Sequence, residues 1–570
     1  MAGRLCLLAL LLSLVTAAPP DMSCHCFPGD EWCWPTVQEW NAFNESVGGK
    51  LIATVPIGSV CHPDSIYTPY NAEACANLLS VWNDTATHYE SSSSPMASWF
   101  ANFSCDPRLP HTPCTMGPLV QYAVNASTVD DVQKTLKMAW DHDIRVVVRN
   151  TGHDYLGRST GAGALAVWTH HMKDIQILDY EARWYNGSAI KVGAGVQIME
   201  AMDAVHKEGL VPVVSNGQTL GYAGGFSQSG GSGQLASTYG LAADNVLEWE
   251  LVTASGTYVM ASPSTYSDLY WALSGGGGGT YGVVLSMTSK LHVENHTVSA
   301  NLTFTTDNVS KNTFWDVAST FIKSSVSLTD MGGVAVWQVT DDMFMVVPAT
   351  LPSGTEEQLQ KVMRPTLDLL NSYNMSYTYN IVTYPSFYDS YRAMTPWSTV
   401  TDAQLGGRLI PRTVVDQTLT SFVDALRTIT NHKSLVSGVS LNVSRIRIGV
   451  NDNINSVNPA WRKAQVNIAV GTPYKYTNFA RDVAKANQVL MTRILLPLLQ
   501  DLTPGGGAYS SEADLNEADW QRSFYGDNYN RLQSIKNRYD PYHMFYTLKG
   551  VGSTVWTERV DGRLCCVEDC

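Results

Sequence analysis

The stretch RNTGHDYLGRSTG occupies residues 149–161 and follows an apolar run at 144–148. This β-branched run predicts a buried strand, so the polar residues after it lie at the strand's carboxyl end. Three glycines in the stretch allow tight turns and bring backbone N–H groups close to a ligand, an arrangement that suits an anionic pyrophosphate. His153 lies inside this glycine loop. Taken alone, the loop also fits an ordinary surface turn with a hydrogen-bonded histidine.

Residues 1–18 have the composition of a signal peptide, with one cation at Arg4, an apolar core and small residues before Pro19. We expect cleavage after Ala17 or Ala18, and no later stretch is long and apolar enough to span a membrane. The sequence thus predicts a protein that is secreted or resides in the secretory-pathway lumen. Sequons for N-glycosylation agree with this route; they lie at Asn44, Asn83, Asn102, Asn125, Asn186, Asn295, Asn301, Asn308, Asn374 and Asn442.

The cysteines and the net charge limit the possible partners. Of 11 cysteines, one lies in the signal peptide, seven lie before residue 115 and three end the chain. Because each of the two remaining groups contains an odd number of cysteines, complete pairing requires a disulfide between the groups, unless a thiol stays free or bonds another chain. Zinc-finger spacing is absent, and no metal is predicted. The formal net charge of −14, without any basic run, argues against nucleic acid or an anionic membrane as partner.

The first third of the chain divides into two parts. Residues 19–114 carry the early cysteines, are interrupted by SSSSP at 91–95, and are interpreted as a disulfide-stapled extension rather than a catalytic unit. A strand at 119–124, a helical stripe at 129–139 and the strand at 144–148 follow. This order is typical of an α/β nucleotide domain, but no G-x-G-x-x-G opens the helix, so a Rossmann fold is not expected.

Two further glycine-rich segments, 217–233 and 275–279, lie beside apolar runs such as 246–252. Such a composition is also found in disordered linkers. Because strand-like runs flank both segments, we expect ordered loops whose backbone approaches a ligand closely, and three such loops could enclose a dinucleotide. A P-loop is excluded, because none of the loops ends in G-K-S/T.

The pattern changes from about residue 296. Longer strand-like runs alternate with helical stripes, for example at 356–370 and 414–429. This predicts an α+β domain with a largely antiparallel sheet, a usual form for a substrate-covering domain. Residues 520–541 return to a helical pattern that ends at Pro541.

Four motifs occur in order along the chain: RNTGHDYLGRSTG at 149–161, YGLAADNVLEW at 239–249, SGGGGGTYGVV at 274–284 and FYGDNYNRLQSIKNRYDP at 524–541. Together they resemble the vanillyl-alcohol-oxidase and p-cresol-methylhydroxylase (PCMH) family of flavoproteins, in the fungal type of its berberine-bridge-enzyme-like branch. The resemblance covers roughly residues 115–555. It implies an α+β fold with a two-lobed PCMH-type FAD-binding domain, a substrate domain with a large antiparallel sheet, and a carboxyl segment that packs back on the FAD domain.

The domain boundaries follow from the resemblance and the composition together. We expect a signal peptide at 1–18, a cysteine-rich extension at 19–114, an FAD-binding domain at 115–295, a substrate-binding domain at 296–500, a berberine-bridge-like segment at 501–560 and a cysteine-rich tail at 561–570.

The resemblance also implies a covalent bond from His153 to the 8α-methyl carbon of FAD, for which a neutral imidazole is a suitable nucleophile. Many members of the branch add a cysteinyl bond from a C-P-T-V-G stretch, whereas the matching residues 217–221 read GQTLG. No cysteine lies between Cys114 and Cys565, so we expect no cysteinyl link. The expected FAD-binding residues are Arg149, Asn150, Thr151, Gly152, His153, Asp154, Ser159, Thr219, Gly221, Gly224, Gly225, Gly230, Gly231, Gly233, Val283 and Asn528.

The candidate base lies in YSSEAD at 509–514, where relatives often have Y-x-N-Y-x-D. Glu512 takes the place of the second tyrosine, and a buried carboxylate could abstract a substrate proton while a hydride leaves. Tyr509 is the second candidate. NEAD at 516–519 repeats the pattern, so Glu517 is an alternative, and both glutamates could instead be solvated loop charges. Arg408 and Arg412 could touch a substrate, although surface or ion-pair roles fit them better.

The predicted reaction is hydride transfer from a small organic molecule, typically a secondary metabolite, to FAD, with dioxygen as the electron acceptor and hydrogen peroxide as product. A carbohydrate oxidase is the alternative enzyme, because 16 Trp and 27 Tyr could stack on sugars. From another class, a secreted glycoprotein could retain the fold as a binding module with an idle flavin site. The sequence leaves the oligomeric state open.

Overall fold

The computed structural model describes residues 24–400, 402–451, 454–474 and 480–567. The expected signal peptide and Cys570 lie outside these residues. Every cysteine among the described residues is disulfide-bonded. The bond between Cys24 and Cys565 spans 541 residues and confirms the predicted cross-link between the two cysteine groups. Further bonds join Cys26 to Cys33, Cys61 to Cys75 and Cys105 to Cys114.

The amino-terminal region consists of short elements, and each of its three α-helices begins with a polar cap. Thr36 and Glu39 form a capping box at the first helix, and Asn71 and Asp84 cap the next two through their side chains. The elements are α1 (Val37–Ser46), β1 (Leu51–Ala53), α2 (Ala72–Ser80) and α3 (Thr85–Tyr89).

The first lobe of the next domain is a four-stranded sheet. In the order β1-β2-β4-β3, the last three strands are parallel, and β1 of the amino-terminal region pairs antiparallel with β2 at one edge. Thr128 caps the helix through a capping box with Asp131, so the predicted strand, helix, strand order is confirmed. The elements are β2 (Tyr122–Asn125), α4 (Val129–Asp141), β3 (Val146–Arg149) and β4 (Leu165–Trp168).

The second lobe is built on a five-stranded antiparallel sheet in the order β5-β6-β10-β8-β9. The apolar run at 246–252 forms a strand with those bounds. The glycine-rich stretch before it is ordered, with a π-helical turn at Tyr222–Phe226. The elements are β5 (Ile175–Ala182), β6 (Tyr185–Gly193), α5 (Ile198–His206), β7 (Leu210–Val211), α6 (Ala236–Tyr239), α7 (Ala242–Asn245), β8 (Val246–Val252), β9 (Tyr258–Ala261), α8 (Ser267–Leu273), β10 (Val283–Lys290) and β11 (His292–Val293).

A seven-stranded sheet follows, in the order β15-β12-β14-β13-β17-β18-β16, with every pairing antiparallel as predicted. Its core packs against apolar faces of α9, α10 and α13. The elements are β12 (Thr297–Thr305), α9 (Lys311–Asp330), β13 (Val334–Val339), β14 (Met343–Pro352), α10 (Glu356–Ser372), β15 (Tyr377–Tyr384), α11 (Phe387–Met394), β16 (Ala403–Pro411), α12 (Arg412–Gln417), α13 (Leu419–Asn431), β17 (Leu435–Ser440), α14 (Arg445–Ile448), β18 (Ala464–Pro473), α15 (Ala480–Leu490) and α16 (Leu496–Gln500).

One helix prediction in this region was wrong. The stripe at 414–429 was expected to form a single helix, but the chain forms two, because Thr418 between them has non-helical backbone angles of φ −132° and ψ 32°. Apolar periodicity continues across the break, so it does not reveal the change of direction.

The carboxyl segment packs back onto the second lobe, as the resemblance implied. The ammonium group of Lys536 is buried; it pairs with Asp540 at 2.5 Å and donates a hydrogen bond to the carbonyl oxygen of Thr280 at 2.6 Å. The segment is therefore fastened to the third glycine loop. Its elements are α17 (Trp520–Tyr525), α18 (Tyr529–Tyr539), β19 (Trp556–Glu558) and β20 (Leu564–Cys566). Within the described ranges, no helix combines the length and apolarity needed to cross a bilayer.

Candidate active site

One cavity brings together all three glycine-rich segments that the sequence singled out. It is lined by the loop after β3, by residues around the π-helical turn, by Gly278, Gly279 and Gly282, and by the carboxyl segment through Tyr509, Ser511, Glu512 and Thr547. Nine of the expected FAD-binding residues line it: Asn150, Thr151, Gly152, His153, Asp154, Ser159, Gly221, Gly224 and Gly225.

Glycine is required where the cavity loops pack on one another. Gly152 has φ +79°, and a Cβ there would lie 2.7 Å from the guanidinium group of Arg149. A Cβ on Gly221 would lie 2.7 Å from Asn150 Oδ1, and one on Gly278 would lie 3.1 Å from Gly225. These contacts leave room for backbone only, so the glycines let the loops approach closely.

Arg149 turns away from the cavity into the amino-terminal extension. Its Nη2 donates to the carbonyl oxygens of His88, Ser91 and Ser94 at 2.9, 3.0 and 2.6 Å. Burial lowers the pKa of Arg149 to about 9, which leaves it charged at neutral pH. The cation therefore holds residues 88–94 against the base of the glycine loop, and the SSSSP stretch is a structural part of the site rather than a simple interruption.

A chain of hydrogen bonds determines the tautomer of His153. Its Nε2 lies 2.8 Å from Thr219 Oγ1, and the Thr219 hydroxyl donates to Thr85 Oγ1 at 3.3 Å. Because the Thr219 hydrogen points to Thr85, Nε2 of His153 carries the hydrogen that Thr219 accepts, and Nδ1 keeps its lone pair. Burial, with smaller effects from His88 and Arg149, lowers the pKa of His153 to about 4. The imidazole is therefore neutral and nucleophilic at Nδ1.

Glu512 and Asp154 both line the cavity, and the Asp154 carboxylate accepts hydrogen bonds from the backbone of Leu156 and Arg158. Desolvation raises the pKa of Glu512 above the ordinary 4.5, while a hydrogen bond from Asn467 Nδ2 at 3.0 Å opposes that rise. Tyr509 lies beside it and packs edge-on against Trp461 at 5.4 Å. Burial raises the pKa of Tyr509 above its ordinary value of 10, so this phenol stays protonated. Of the two groups, only Glu512 can act as a base near neutral pH.

Comparison with known proteins identifies the architecture. Residues 120–262 match the family described as FAD binding domain, and residues 508–552 match the family described as berberine and berberine like. The FAD-linked oxidoreductase sor8 of Hypocrea jecorina is 45% identical, over 95% of this chain and 93% of its own. The crystal structure of the VAO-type flavoprotein MtVAO615 from Myceliophthora thermophila C1 has 36% identity and a TM-score of 0.91, covering 96% of this chain and 100% of that chain.

This chain belongs to the VAO-type, berberine-bridge-like FAD-linked oxidoreductases. The family includes the bifunctional decalin synthase calF of Penicillium decumbens, 37% identical over 98% of this chain and 99% of its own. Glucooligosaccharide oxidase from Acremonium strictum shares the fold with 17% identity and a TM-score of 0.60, covering 76% of this chain and 92% of that chain.

The cavity of this oxidoreductase fits FAD. Backbone from three glycine loops surrounds it, and two lining residues hold buried polar atoms that have no partner among the described residues. These atoms are Asn150 Oδ1 and Arg158 Nη2. A donor-rich, glycine-lined cleft with a nearby cation is suited to a dinucleotide pyrophosphate.

The remaining expected FAD-binding residues lie behind the cavity wall. The side chain of Asn528 donates to the carbonyl oxygens of Ser456 and Val457, and Thr219 reaches the site through His153. A Cβ on Gly233 would lie 1.8 Å from the carbonyl oxygen of Val214, so this glycine is needed for packing. Residues outside the cavity lining are Arg149, Thr219, Gly230, Gly231, Gly233, Val283 and Asn528.

The alternative polar candidates also lie elsewhere in the oxidoreductase. Glu517 accepts hydrogen bonds from Gln500 and from the backbone of Asp519, and it does not line the cavity. Arg408 is buried and donates to Thr503. Arg412 pairs with Asp330 at 2.5 Å on the surface, which is the ion-pair role expected for it.

Sequence reasoning missed two contributors to the site. Asn467 lies on β18, 45 residues from the glutamate that it contacts, and no local motif marks it. Thr85 and the 88–94 segment belong to the extension, which was interpreted as separate from the catalytic unit. The only available signal was the run of small polar residues at 91–94, several of which are buried.

Proposed function

We propose that this enzyme is a secreted oxidase that removes a hydride and a proton from a small organic molecule, using FAD held by one covalent bond to His153. The observation that carries the proposal is the cavity shared by His153, a neutral histidine with a free Nδ1, and the half-buried carboxylate of Glu512. When bound, FAD supplies the acceptor for the hydride and passes the electrons to dioxygen, which yields hydrogen peroxide.

The attachment is assigned to Nδ1 of His153. Thr219 accepts the Nε2 hydrogen and is itself oriented by Thr85, so the ring is held in one tautomer. Residues 150–154 and Arg158 line the cavity and would hold the pyrophosphate through backbone N–H groups and the guanidinium group. This arrangement binds the anionic part of FAD and presents a nucleophile beside it.

A single bond to the flavin is proposed because no thiol is placed to make a second one. Gly217 stands where the branch often has cysteine, and a Cβ at this position would lie 2.1 Å from Leu220 Cδ1. All the cysteines in the part of the chain that the structure describes are in disulfides.

Glu512 is proposed to take the substrate proton through its carboxylate. The amide of Asn467 holds one carboxylate oxygen at 3.0 Å, which fixes the orientation of the base. Tyr509, protonated and buried beside it, is suited to donating a hydrogen bond to a substrate oxygen. The two residues can thus orient a hydroxyl or amine group and remove its proton.

A small organic substrate is favoured over a carbohydrate by the relatives. Proteins at 36–45% identity over most of the chain include a decalin synthase and a protein named as a VAO-type flavoprotein oxidase. The glucooligosaccharide oxidase shares only the fold. A binding module with an idle flavin site is disfavoured, because such a module has no need of a carboxylate whose orientation is fixed in the cavity by Asn467.

Secretion is proposed from the sequence and from the surface. The expected signal peptide precedes the described residues, the disulfides fit an oxidising compartment, and none of the ten sequon asparagines is buried. We also keep the expected domain boundaries as a proposal; the one at 295/296 falls between β11 and β12.

The test begins with purified protein. Acid precipitation should leave the yellow flavin with the wild-type protein and release it from His153→Ala, and mass spectrometry should find flavin on the His153 peptide and on no cysteine peptide. Colour released from the wild type would refute the bond. A peroxidase-coupled assay on alcohols and amines of varied ring size, with oligosaccharides in parallel, tests the reaction. Peroxide from oligosaccharides alone would favour the carbohydrate alternative. If no compound yields peroxide and none reduces the flavin, the result would favour the binding module with an idle flavin site.

A further inference from the structure

Glu90, His170 and His171 form a cluster outside the cavity. Glu90 directly follows α3 in the extension, and the histidines follow Thr169, a cavity-lining residue just beyond β4. His170 Nε2 lies 3.8 Å from one carboxylate oxygen of Glu90, and His171 Nε2 lies 4.0 Å from the other. One ligand atom from each residue lies within 4.8 Å of those of the other two.

These separations are too long for hydrogen bonds but close to those of ligands around one ion. Hydrogen bonds of this type measure about 2.7–3.2 Å between heavy atoms. Two ligands at about 2.0–2.1 Å from a tetrahedral zinc ion lie roughly 3.4 Å apart. The three side chains would need to move by only about half an ångström to share an ion.

The orientations of the rings supply an independent observation. His171 Nδ1 lies 2.9 Å from Asn125 Oδ1, an amide oxygen that can only accept, so Nδ1 carries the hydrogen and Nε2 presents its lone pair to Glu90. Metal-binding histidines are usually held in this way by an outer partner. The side chain of His170 is 2% exposed, its Nδ1 is buried without a partner, and its Nε2 faces the carboxylate.

We propose that Glu90, His170 and His171 bind one Zn²⁺ ion, with water completing the coordination. Two imidazole nitrogens and one carboxylate oxygen are a ligand set that zinc commonly takes. The site joins the extension, immediately beside the segment that holds Arg149, to the chain beyond β4. Its role is to fasten residues 88–94 over the active-site loop. The alternative is a plain ion pair between Glu90 and the histidines, which binds no metal.

The experiment uses the full-length holoenzyme, treated with EDTA and dialysed into metal-free buffer at neutral pH. Titration with Zn²⁺ in a calorimeter should show one ion per chain, and the midpoint of thermal unfolding should rise by about 2 °C when Zn²⁺ is a hundredfold above its Kd. His171→Ala removes an exposed ligand, and Glu90→Gln keeps the shape but removes the charge. Each should weaken Zn²⁺ binding by about tenfold or more.

His206→Ala is the matched control. His206 also faces a glutamate, Glu294, at 2.6 Å, but it belongs to no three-ligand cluster among the described residues, so this variant should bind Zn²⁺ like the wild type. The proposal is overturned if the wild type takes up no Zn²⁺, if both cluster variants bind it as well as the wild type, or if His206→Ala loses as much affinity as they do. Because no substrate is involved, the result is independent of the proposed oxidase activity.

Discussion

Replacing Thr219 by valine tests how the protein prepares His153 for the proposed bond to FAD. Valine has nearly the same shape as threonine but cannot accept the hydrogen on Nε2, now 2.8 Å from the Thr219 oxygen. A buried donor left without a partner costs about 1–3 kcal/mol. The missing partner destabilises the tautomer that has a free Nδ1. The population of this tautomer should therefore decrease by about 5- to 150-fold, and the rate of flavin attachment should decrease with it.

The assay follows covalent attachment directly. Thr219→Val and wild-type protein are expressed in parallel, samples are denatured at successive times after FAD is supplied, and flavin fluorescence of the denatured band is measured. Flavin that is released on denaturation was bound without a covalent bond, so its amount measures FAD binding separately from attachment. The variant should bind FAD but attach it slowly.

Two further variants make the test specific. Thr219→Ser keeps the hydroxyl and should attach flavin like the wild type. Thr85→Val removes the acceptor of the Thr219 hydrogen, which frees that hydrogen to turn toward Nε2 and favours the wrong tautomer, so attachment should again slow. If Thr219→Val attaches flavin at the wild-type rate, the tautomer argument is refuted. If the wild type attaches none, the covalent bond itself is refuted.

Three other predictions follow from the contacts. Glu512→Gln should slow flavin reduction by about 10²- to 10⁴-fold, while Glu517→Gln should not. In the wild type, the rate of flavin reduction should rise with pH as Glu512 loses its proton, since the base works only when deprotonated, and burial places its pKa above the ordinary 4.5. Arg149→Met removes the buried cation and its hydrogen bonds to three carbonyl oxygens and should lower the free energy of unfolding by about 3 kcal/mol or more in denaturant titrations. Replacing Cys24 and Cys565 by serine should cost about 2–4 kcal/mol in the same measurement.

The positions of the cavity loops could be predicted from the sequence because they depend on local patterns. A buried strand followed by glycines and His153 fixes the edge where the loop lies. The other two glycine segments were expected to close around the same ligand, and the structure brings all three together. The antiparallel character of the large sheet was expected from the longer strand-like runs after residue 296 and from the family resemblance, since alternation of strands with helical stripes is by itself equally typical of a parallel sheet.

Side-chain directions and long-range partners could not be predicted in this way. Arg149 ends a strand, and nothing local shows that its guanidinium group turns toward carbonyl oxygens more than 50 residues earlier in the chain. Asn528 lies in a motif of the family, yet it holds the backbone of Ser456. The break at Thr418 depends on how two helices pack. Each of these features is decided by tertiary contacts rather than by periodicity.

The placement of Glu512 would keep the proposed proton transfer apart from the proposed flavin attachment. His153 depends on the loop after β3 and on Thr219, whereas Glu512 is braced by the large sheet. Asn467 on β18 holds its carboxylate, and Gly407 on β16 lies so close that a Cβ there would come within 2.3 Å of the Glu512 carbonyl oxygen. A change in the sheet would therefore move the proposed base without disturbing the proposed flavin attachment. If Glu512 is the base, variation in this domain would alter which substrates lose a proton while the proposed flavin site stays the same.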